Sequence, residues 1–298
     1  MSAPGQTDGY SVFVHLLPYI EEIILYDDLA SATGNFQPAP GPFSDAIADN
    51  PLIDEDGIHF SQRQLSAYRC PSYNGDTLCL ADADYAGGNV VPAVGNYVAI
   101  VATDLEGGNG RLPSWKSKYK HWENGGLVSS CAAGDCDGNK GLALRDIADG
   151  VSKQIILTES NERAYASWMS SASTWVVAAT GGTNPRESQG VLGVRRSRTG
   201  KTTAELISGH LALNWGDSTA YGIIGPNANH SVYLMPAEHR WAGKQPRLLG
   251  PASDHSGSVV LHVFGDAHAK AISSDVDPQI YLRFITRADG DDARTEDL

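Results

Sequence analysis

The sequence predicts an α+β fold, in which an antiparallel sheet packs with a helix and long loops join the elements. Short apolar runs typical of strands are scattered along the chain, and stretches with helical spacing lie at both ends. The 32 glycines and 15 prolines indicate many turns. We expect a single globular domain over residues 1–298, with an inserted sublobe at about 180–230.

The first predicted helix covers residues 12–29 and is started or kinked at Pro18. Strands rich in Val, Ile, Tyr or Trp are predicted at residues 65–70, 95–103, 154–159 and 174–178. Near the end of the chain, residues 259–264 and 267–272 are predicted to form a hairpin around Gly265-Asp266. Residues 275–287 carry apolar side chains on one helical face, which predicts a last helix.

The charge of the chain argues against one class of partner. The formal net charge is -13 and the sequence pI is about 5.0. A groove that follows a phosphate backbone needs the opposite sign, so we expect no nucleic-acid partner. The sequence also lacks a run of the roughly 18 to 20 apolar residues that a membrane-spanning helix needs.

The four cysteines form two local pairs, Cys70 with Cys79 and Cys131 with Cys136. This spacing favours two short disulfide loops, Cys70-Cys79 and Cys131-Cys136, although three pairings are formally open. A zinc site is the alternative, but the spacing is not the usual one and no histidine lies inside either pair. Disulfides persist in oxidising compartments, so we expect an extracellular location.

Residues 134–141 contain oxygen-bearing side chains at alternate positions of a turn. Asp135, Asp137 and Asn139 offer side-chain oxygens and Gly141 offers a carbonyl, which is the donor chemistry that Ca²⁺ prefers. Lys140 stands where an EF-hand needs glycine, so this is not an EF-hand. The sequence requires no cofactor; calcium is the one candidate, and a plain turn rich in Asp and Asn, closed by Cys131 and Cys136, is the favoured interpretation.

A second candidate site consists of aromatic residues. Trp115, Tyr119 and Trp122 lie in a short polar stretch and have rings that could stack on a sugar. Packing in the core is the alternative for each ring. A transition-metal site at His262, Asp266 and His268 is a further hypothesis, which fails if Gly265-Asp266 makes a turn.

Several segments, in the same order along the chain, resemble a known family. They are L-L-P-Y-I-E-E with L-Y-D near the start, Y-R-C-P-S at 68–72, N-Y-V at 96–98, I-A-D-G-V-S-K-Q-I-I-L-T-E at 147–159 and the segment from residue 250 onward. The chain resembles the planctomycete-type prepilin-like proteins known as domain of unknown function 1559. The residues that match its motifs are Asp149, Gly150, Glu159, His255 and Asp266. Ten residues separate His255 from Asp266 where a subset of the family has nine, and Ala267 replaces a glycine.

The resemblance implies a pilin-like or pseudopilin-like sheet packed with a helix. It further implies a non-catalytic protein outside the cell or on the cell envelope, the globular head of a subunit that acts in assembly or adhesion. Its partners would be further copies in an oligomer or filament, and its membrane contact would be made only by an apolar helix that precedes this chain. An extracellular solute- or glycan-binding module that takes a polysaccharide is the alternative, and a metal-dependent or serine hydrolase is a second.

Overall fold

The computed structural model describes residues 10–32, 36, 53–79, 91–104, 125–126, 144–161, 166–169, 174–181, 191–195, 204–211, 213, 251–286 and 296. The chain divides into two compact units. The helical unit consists of Met1–Tyr97, Glu162–Trp175 and Ala237–Arg247, and the sheet unit of Val98–Asn161, Val176–Pro236 and Leu248–Leu298. The predictions of a single domain and of an inserted sublobe stay predictions.

The helical unit begins with two short helices, α1 at Val12–Leu16 and α2 at Ile23–Ala32, joined through a 3₁₀ turn at Leu17–Tyr19. The hydroxyl of Ser11 caps α1 by accepting a hydrogen bond from the N–H of Phe13 at 3.1 Å. Pro18 lies in the 3₁₀ turn, so the helix predicted over residues 12–29 is interrupted there and forms two helices instead of one. Among the described residues, no helix has the length and apolar character needed to cross a bilayer.

The strand predicted at residues 65–70 is wrong. Leu65 is extended, but Ser66–Tyr68 form a 3₁₀ turn. The hydroxyl of Tyr68 donates to the carbonyl of Phe13 at 2.6 Å, and the two rings meet edge to face with centroids 5.2 Å apart. This buried contact with α1 decides the local backbone, because burying the ring and pairing its hydroxyl outweigh a weak strand preference.

The sheet contains seven strands within the described part of the chain, in the order β4-β5-β3-β1-β2-β6-β7. They are β1 Tyr97–Asp104, β2 Ile155–Glu159, β3 Trp175–Gly181, β4 Val191–Arg195, β5 Ala204–Leu211, β6 Val259–Phe264 and β7 Ala269–Ser273. The pairs β2–β6, β6–β7, β3–β5 and β4–β5 are antiparallel. The predicted antiparallel sheet and the terminal hairpin of β6 and β7 are therefore confirmed.

The core of the sheet unit lies between one face of the sheet and the last helix, α3 at Pro278–Arg283. Buried residues alternate along β6, so that Val260 and Phe264 face inward. The cluster joins side chains of β1, β2, β3, β6 and β7 to Tyr281, Leu282, Phe284 and Ile285. The predicted helix over residues 275–287 is thus confirmed in a shorter form, and it covers the sheet.

Candidate functional site

A buried carboxylate and a histidine meet at the end of β2 in the sheet unit. The side chain of Glu159, only 1% exposed, places Oε1 3.1 Å from Nε2 of His255. Its second oxygen, Oε2, accepts a hydrogen bond from the N–H of Leu261 at 2.9 Å. The side chain of His255 is 24% exposed, so solvent reaches the ring from one side. Both residues belong to the predicted family motifs.

Hydrogen-bonding chemistry determines which atom of the Glu159–His255 pair carries the shared hydrogen. A carboxylate oxygen only accepts, so Nε2 of His255 carries the hydrogen and donates it to Glu159. A metal ion bound at Nε2 would have to displace this hydrogen bond. A carboxylate and an imidazole are also two parts of a hydrolytic triad. The nearby hydroxyl of Ser253, however, donates to the carbonyl of Val259 at 2.6 Å and accepts from the backbone N–H of His255 at 3.2 Å.

These contacts hold the loop before β6 against the end of β2. The N–H of Ala252 donates to the carbonyl of Glu159 at 3.0 Å. The amide of Asn161 donates to Oδ1 of Asp254 at 3.2 Å. The loop that carries His255 is therefore attached to the end of β2 through its backbone and through two of its side chains. These contacts are structural.

The remaining family-motif residues lie at the other end of β2. Asp149 and Gly150 precede a 3₁₀ turn at Val151–Lys153, and Gly150 has φ 101° and ψ 136°, a conformation that favours glycine. The N–H of Gly265 donates to the carbonyl of Gln154 at 2.8 Å. A Cβ on Gly265 would lie 3.0 Å from the carbonyl oxygen of Val151, so the hairpin turn and this segment approach closely. The motifs therefore mark both ends of one strand.

Asp266 lies in the hairpin turn and pairs with His268. Its Oδ1 is 2.5 Å from Nδ1 of His268 and also accepts the N–H of that residue at 3.2 Å. The hydrogen bond from the His268 side chain lowers the pKa of Asp266. Ala267, between them, has φ 69°. The resemblance places a glycine at this position, and the left-handed backbone supplies the physical reason for one.

His262 faces the core and is separated from the turn that carries Asp266 and His268. Its side chain is fully buried, with Nδ1 2.9 Å from the carbonyl of Val260 and Nε2 2.8 Å from the hydroxyl of Tyr281. Burial lowers the pKa of His262 to about 3 and raises the pKa of Tyr281 well above its usual value. The Gly265-Asp266 turn therefore removes the alternation on which the three-residue metal hypothesis depended.

Gln154 is a buried residue that the sequence analysis did not single out. Its Nε2 donates to the carbonyls of Ile155 at 2.9 Å and Ile285 at 2.6 Å, with a longer contact to Phe284 at 3.4 Å. The N–H of Ile155 donates to the carbonyl of Phe284 at 2.7 Å. The end of α3 is thus bound to the start of β2. A lone glutamine before an apolar run carries no signal that predicts this role.

Two further family segments meet in the helical unit. Oδ1 of Asn96, from the N-Y-V segment, accepts the N–H of Cys70, from the C-P-S segment, at 3.1 Å. Cys70 and Cys79 are buried in one cluster with Tyr73, Val94 and Ala166. Both cysteines are buried, and the disulfide between them stays a prediction.

The other predicted sites lie outside the described residues. They are the calcium ligands Asp135, Asp137, Asn139 and Gly141, the glycan-binding candidates Trp115, Tyr119 and Trp122, and the pair Cys131 and Cys136. These hypotheses stay predictions.

Comparison with known proteins identifies the family. No curated protein and no solved structure matches the chain. A family model described as protein of unknown function (DUF1559), with the short name SBP_bac_10, matches residues 2–279. This range contains four of the five segments from which the resemblance was drawn in full, and the fifth as far as residue 279. The chain therefore belongs to the DUF1559 family.

Proposed function

We propose that this chain is the globular head of a secreted or cell-surface prepilin-like subunit, which acts by contact in assembly or adhesion. The observation that carries the proposal is the structural use of the family motifs. Glu159 holds the loop before β6 through His255, while Gly150 and the Gly265-Asp266 turn shape the opposite end of β2. A family whose motif residues maintain a scaffold is suited to display variable loops on it.

The architecture of the sheet unit supports the same proposal. An antiparallel sheet covered by a helix is the arrangement that the pilin-like resemblance implies. In such a head, recognition depends on the surface loops, and the sheet provides the rigid support. Further copies in an oligomer or filament, or a polysaccharide outside the cell, are the partners we propose.

The location is the first part to test. Intact cells of the source organism would be treated with a membrane-impermeant biotin reagent or with protease, and antibodies against the purified chain would then detect the protein. A cytoplasmic enzyme is the control for leakage. We expect the protein to be labelled by the biotin reagent and digested by the protease. Protection from both reagents in intact cells, with digestion after lysis, would contradict the proposal.

Assembly is the second part to test. Deleting the gene should remove surface filaments or reduce attachment of cells to their substratum, and the intact gene should restore either property. A Glu159→Leu gene, as the matched control, should not restore either property, because the proposal requires the folded scaffold. Wild-type filaments and attachment in the deletion strain would overturn the assembly and adhesion role.

A further inference from the structure

We propose that the outer face of α2 and of the 3₁₀ turn before it, formed by Tyr19, Ile23, Ile24, Asp27 and Asp28, is a docking surface for a basic amphipathic segment of a partner protein. Tyr19 is 83% exposed, Ile23 51% and Ile24 75%. Isolated exposed apolar residues are common, but these three lie within six positions of the chain, at the end of the 3₁₀ turn and the start of α2. The inference stands apart from the proposed function, because it concerns a binding partner wherever the protein is located.

Helical spacing places the apolar and acidic side chains of α2 on the same side. Ile23 and Asp27 are four residues apart, as are Ile24 and Asp28, and all four are exposed. Leu29 lies on the opposite side and is fully buried. The outer face is therefore apolar in the first turn of α2 and acidic in the next.

Among the described residues, the carboxylates on this face lack cationic neighbours. Residues 11–32 contain four acidic side chains and no Lys or Arg. Glu21, Asp27 and Asp28 are exposed, and within the described part of the chain none of them has an ion-pair partner. A helix usually balances such charges with lysine or arginine one turn away, so the missing cations point to a partner that supplies them.

Charge complementarity decides between the occupants. A second copy that docks through the same face would bring a second set of these carboxylates into the interface, and the net charge of -13 opposes such pairing. An anionic membrane surface would repel the same carboxylates. A basic amphipathic helix places leucine-like side chains on Tyr19 and the isoleucines, and its Lys or Arg residues reach the aspartates.

The experiment measures binding of designed peptides to the full chain. The probe is a fluorescein-labelled helical peptide of leucine and lysine with one apolar face, and a matched peptide carries glutamate in place of lysine. We expect saturable binding of the lysine peptide, followed by fluorescence anisotropy, and no measurable binding of the glutamate peptide. Equal binding of the two peptides would overturn the proposal.

Variants locate the binding on the surface. The double change Asp27→Asn with Asp28→Asn should weaken binding of the lysine peptide about fivefold to tenfold, since each exposed pair contributes a modest coupling. Ile24→Ser should weaken it by a similar factor. The control, Asp76→Asn with Asp275→Asn, removes the same charge from two exposed positions elsewhere and should leave binding unchanged. If the control weakens binding as much, the attraction is that of the whole acidic chain and the proposal fails.

Two measurements exclude the other occupants. Light scattering after size exclusion should give a monomer of the same mass for the wild type and for Ile24→Ser, since a dimer lost in the variant would assign the face to a second copy. Co-sedimentation with vesicles of neutral phosphatidylcholine should be absent, since vesicle binding that Ile24→Ser abolishes would assign the face to a membrane. Circular dichroism confirms that each variant retains the helical signal of the wild type.

Discussion

The sheet unit and the helical unit both bury a histidine, but the two rings have different partners. His262 in the sheet unit uses both nitrogens, one for the carbonyl of Val260 and one for the hydroxyl of Tyr281 on α3. His59 in the helical unit uses only Nδ1, which accepts from the N–H of Ser61 at 3.2 Å and lies 2.7 Å from the Ser61 hydroxyl. Within the described part of the chain, Nε2 of His59 has no hydrogen-bond partner.

The difference shows that equal burial does not mean an equal structural role. Because a carbonyl only accepts, Nδ1 of His262 donates to Val260 and Nε2 accepts the hydroxyl hydrogen of Tyr281. That ring therefore joins β6 to α3. The ring of His59 bonds to Ser61, two positions along the chain. Its Nε2–H is a buried donor that has no acceptor among the described residues, which costs about 1–3 kcal/mol. We expect the replacement of a buried polar side chain to lower the free energy of unfolding more in the sheet unit than in the helical unit.

The largest difference is expected between Glu159→Leu and Asn96→Leu. Both native side chains are 1% exposed and accept a distant backbone N–H, from Leu261 and Cys70 respectively. Glu159→Leu removes the carboxylate that accepts from both His255 and that N–H, and two hydrogen bonds to a charged oxygen at about 1.5–3 kcal/mol each give a cost of about 3–6 kcal/mol. Asn96→Leu removes a neutral acceptor and should cost about 1–3 kcal/mol.

Hydrogen exchange resolved by peptide, together with urea unfolding, would assign each loss to its unit. Glu159→Gln serves as the control, since it keeps an oxygen for Leu261 and should cost less than Glu159→Leu. Equal losses for Glu159→Leu and Asn96→Leu would show that the bond between Glu159 and His255 adds nothing to the sheet unit.

Acid should destabilise both units through these histidines. Burial lowers the pKa of His59 to about 4 and that of His262 to about 3, whereas an unfolded histidine has a pKa of 6.5. Below pH 6.5 the unfolded chain therefore binds protons that the folded chain does not. The stability contribution is complete above pH 6.5 and is lost as pH falls toward 4 and 3, by on the order of 3 kcal/mol for each ring.

Urea unfolding of the wild type, His59→Gln and His262→Gln between pH 7 and pH 4 would measure this loss. Each variant should show a flatter decline than the wild type, because one proton fewer is taken up on unfolding. The same slope in all three proteins would mean that other groups cause the acid sensitivity.

A smaller effect is expected at the partners of the two rings. Tyr281→Phe removes the only hydroxyl that reaches Nε2 of His262 among the described residues and should cost about 1–2 kcal/mol. Ser61→Ala should cost less than 1 kcal/mol, because Nδ1 of His59 keeps the backbone N–H of the same residue. Thermal unfolding of the two variants would compare them, and a larger loss for Ser61→Ala would reverse the ranking of the units.

The smallest effect is a gain. Ala267 has φ 69°, where an L side chain is strained, so Ala267→Gly should stabilise the hairpin by about 1 kcal/mol. Ala271→Gly, in the regular strand β7, is the matched control and should destabilise by a similar amount. A loss of stability in Ala267→Gly would show that the turn tolerates alanine without strain.

The parts of the fold that follow from local chemistry could be predicted from the sequence. The alternation in residues 259–264 and the Gly265-Asp266 turn define the hairpin without reference to the rest of the chain. The strand prediction for residues 65–70 is wrong because the backbone there depends on the hydrogen bond from Tyr68 to Phe13, 55 positions away. Glu159 and His255 are 96 positions apart, so no spacing rule pairs them, and only the family resemblance selected both.

The position of β2 also sets the order in which the sheet unit can form. Glu159 bonds to a residue 102 positions later, and Gln154 to one 130 positions later. Before the ribosome reaches β6, β2 has β1 on one side but no strand on the other, and the partners of Glu159 and Gln154 are still missing, so complete folding of the sheet unit is delayed. The sheet unit can close only when almost the whole chain has been made. A polypeptide exported in the unfolded state loses nothing by this delay.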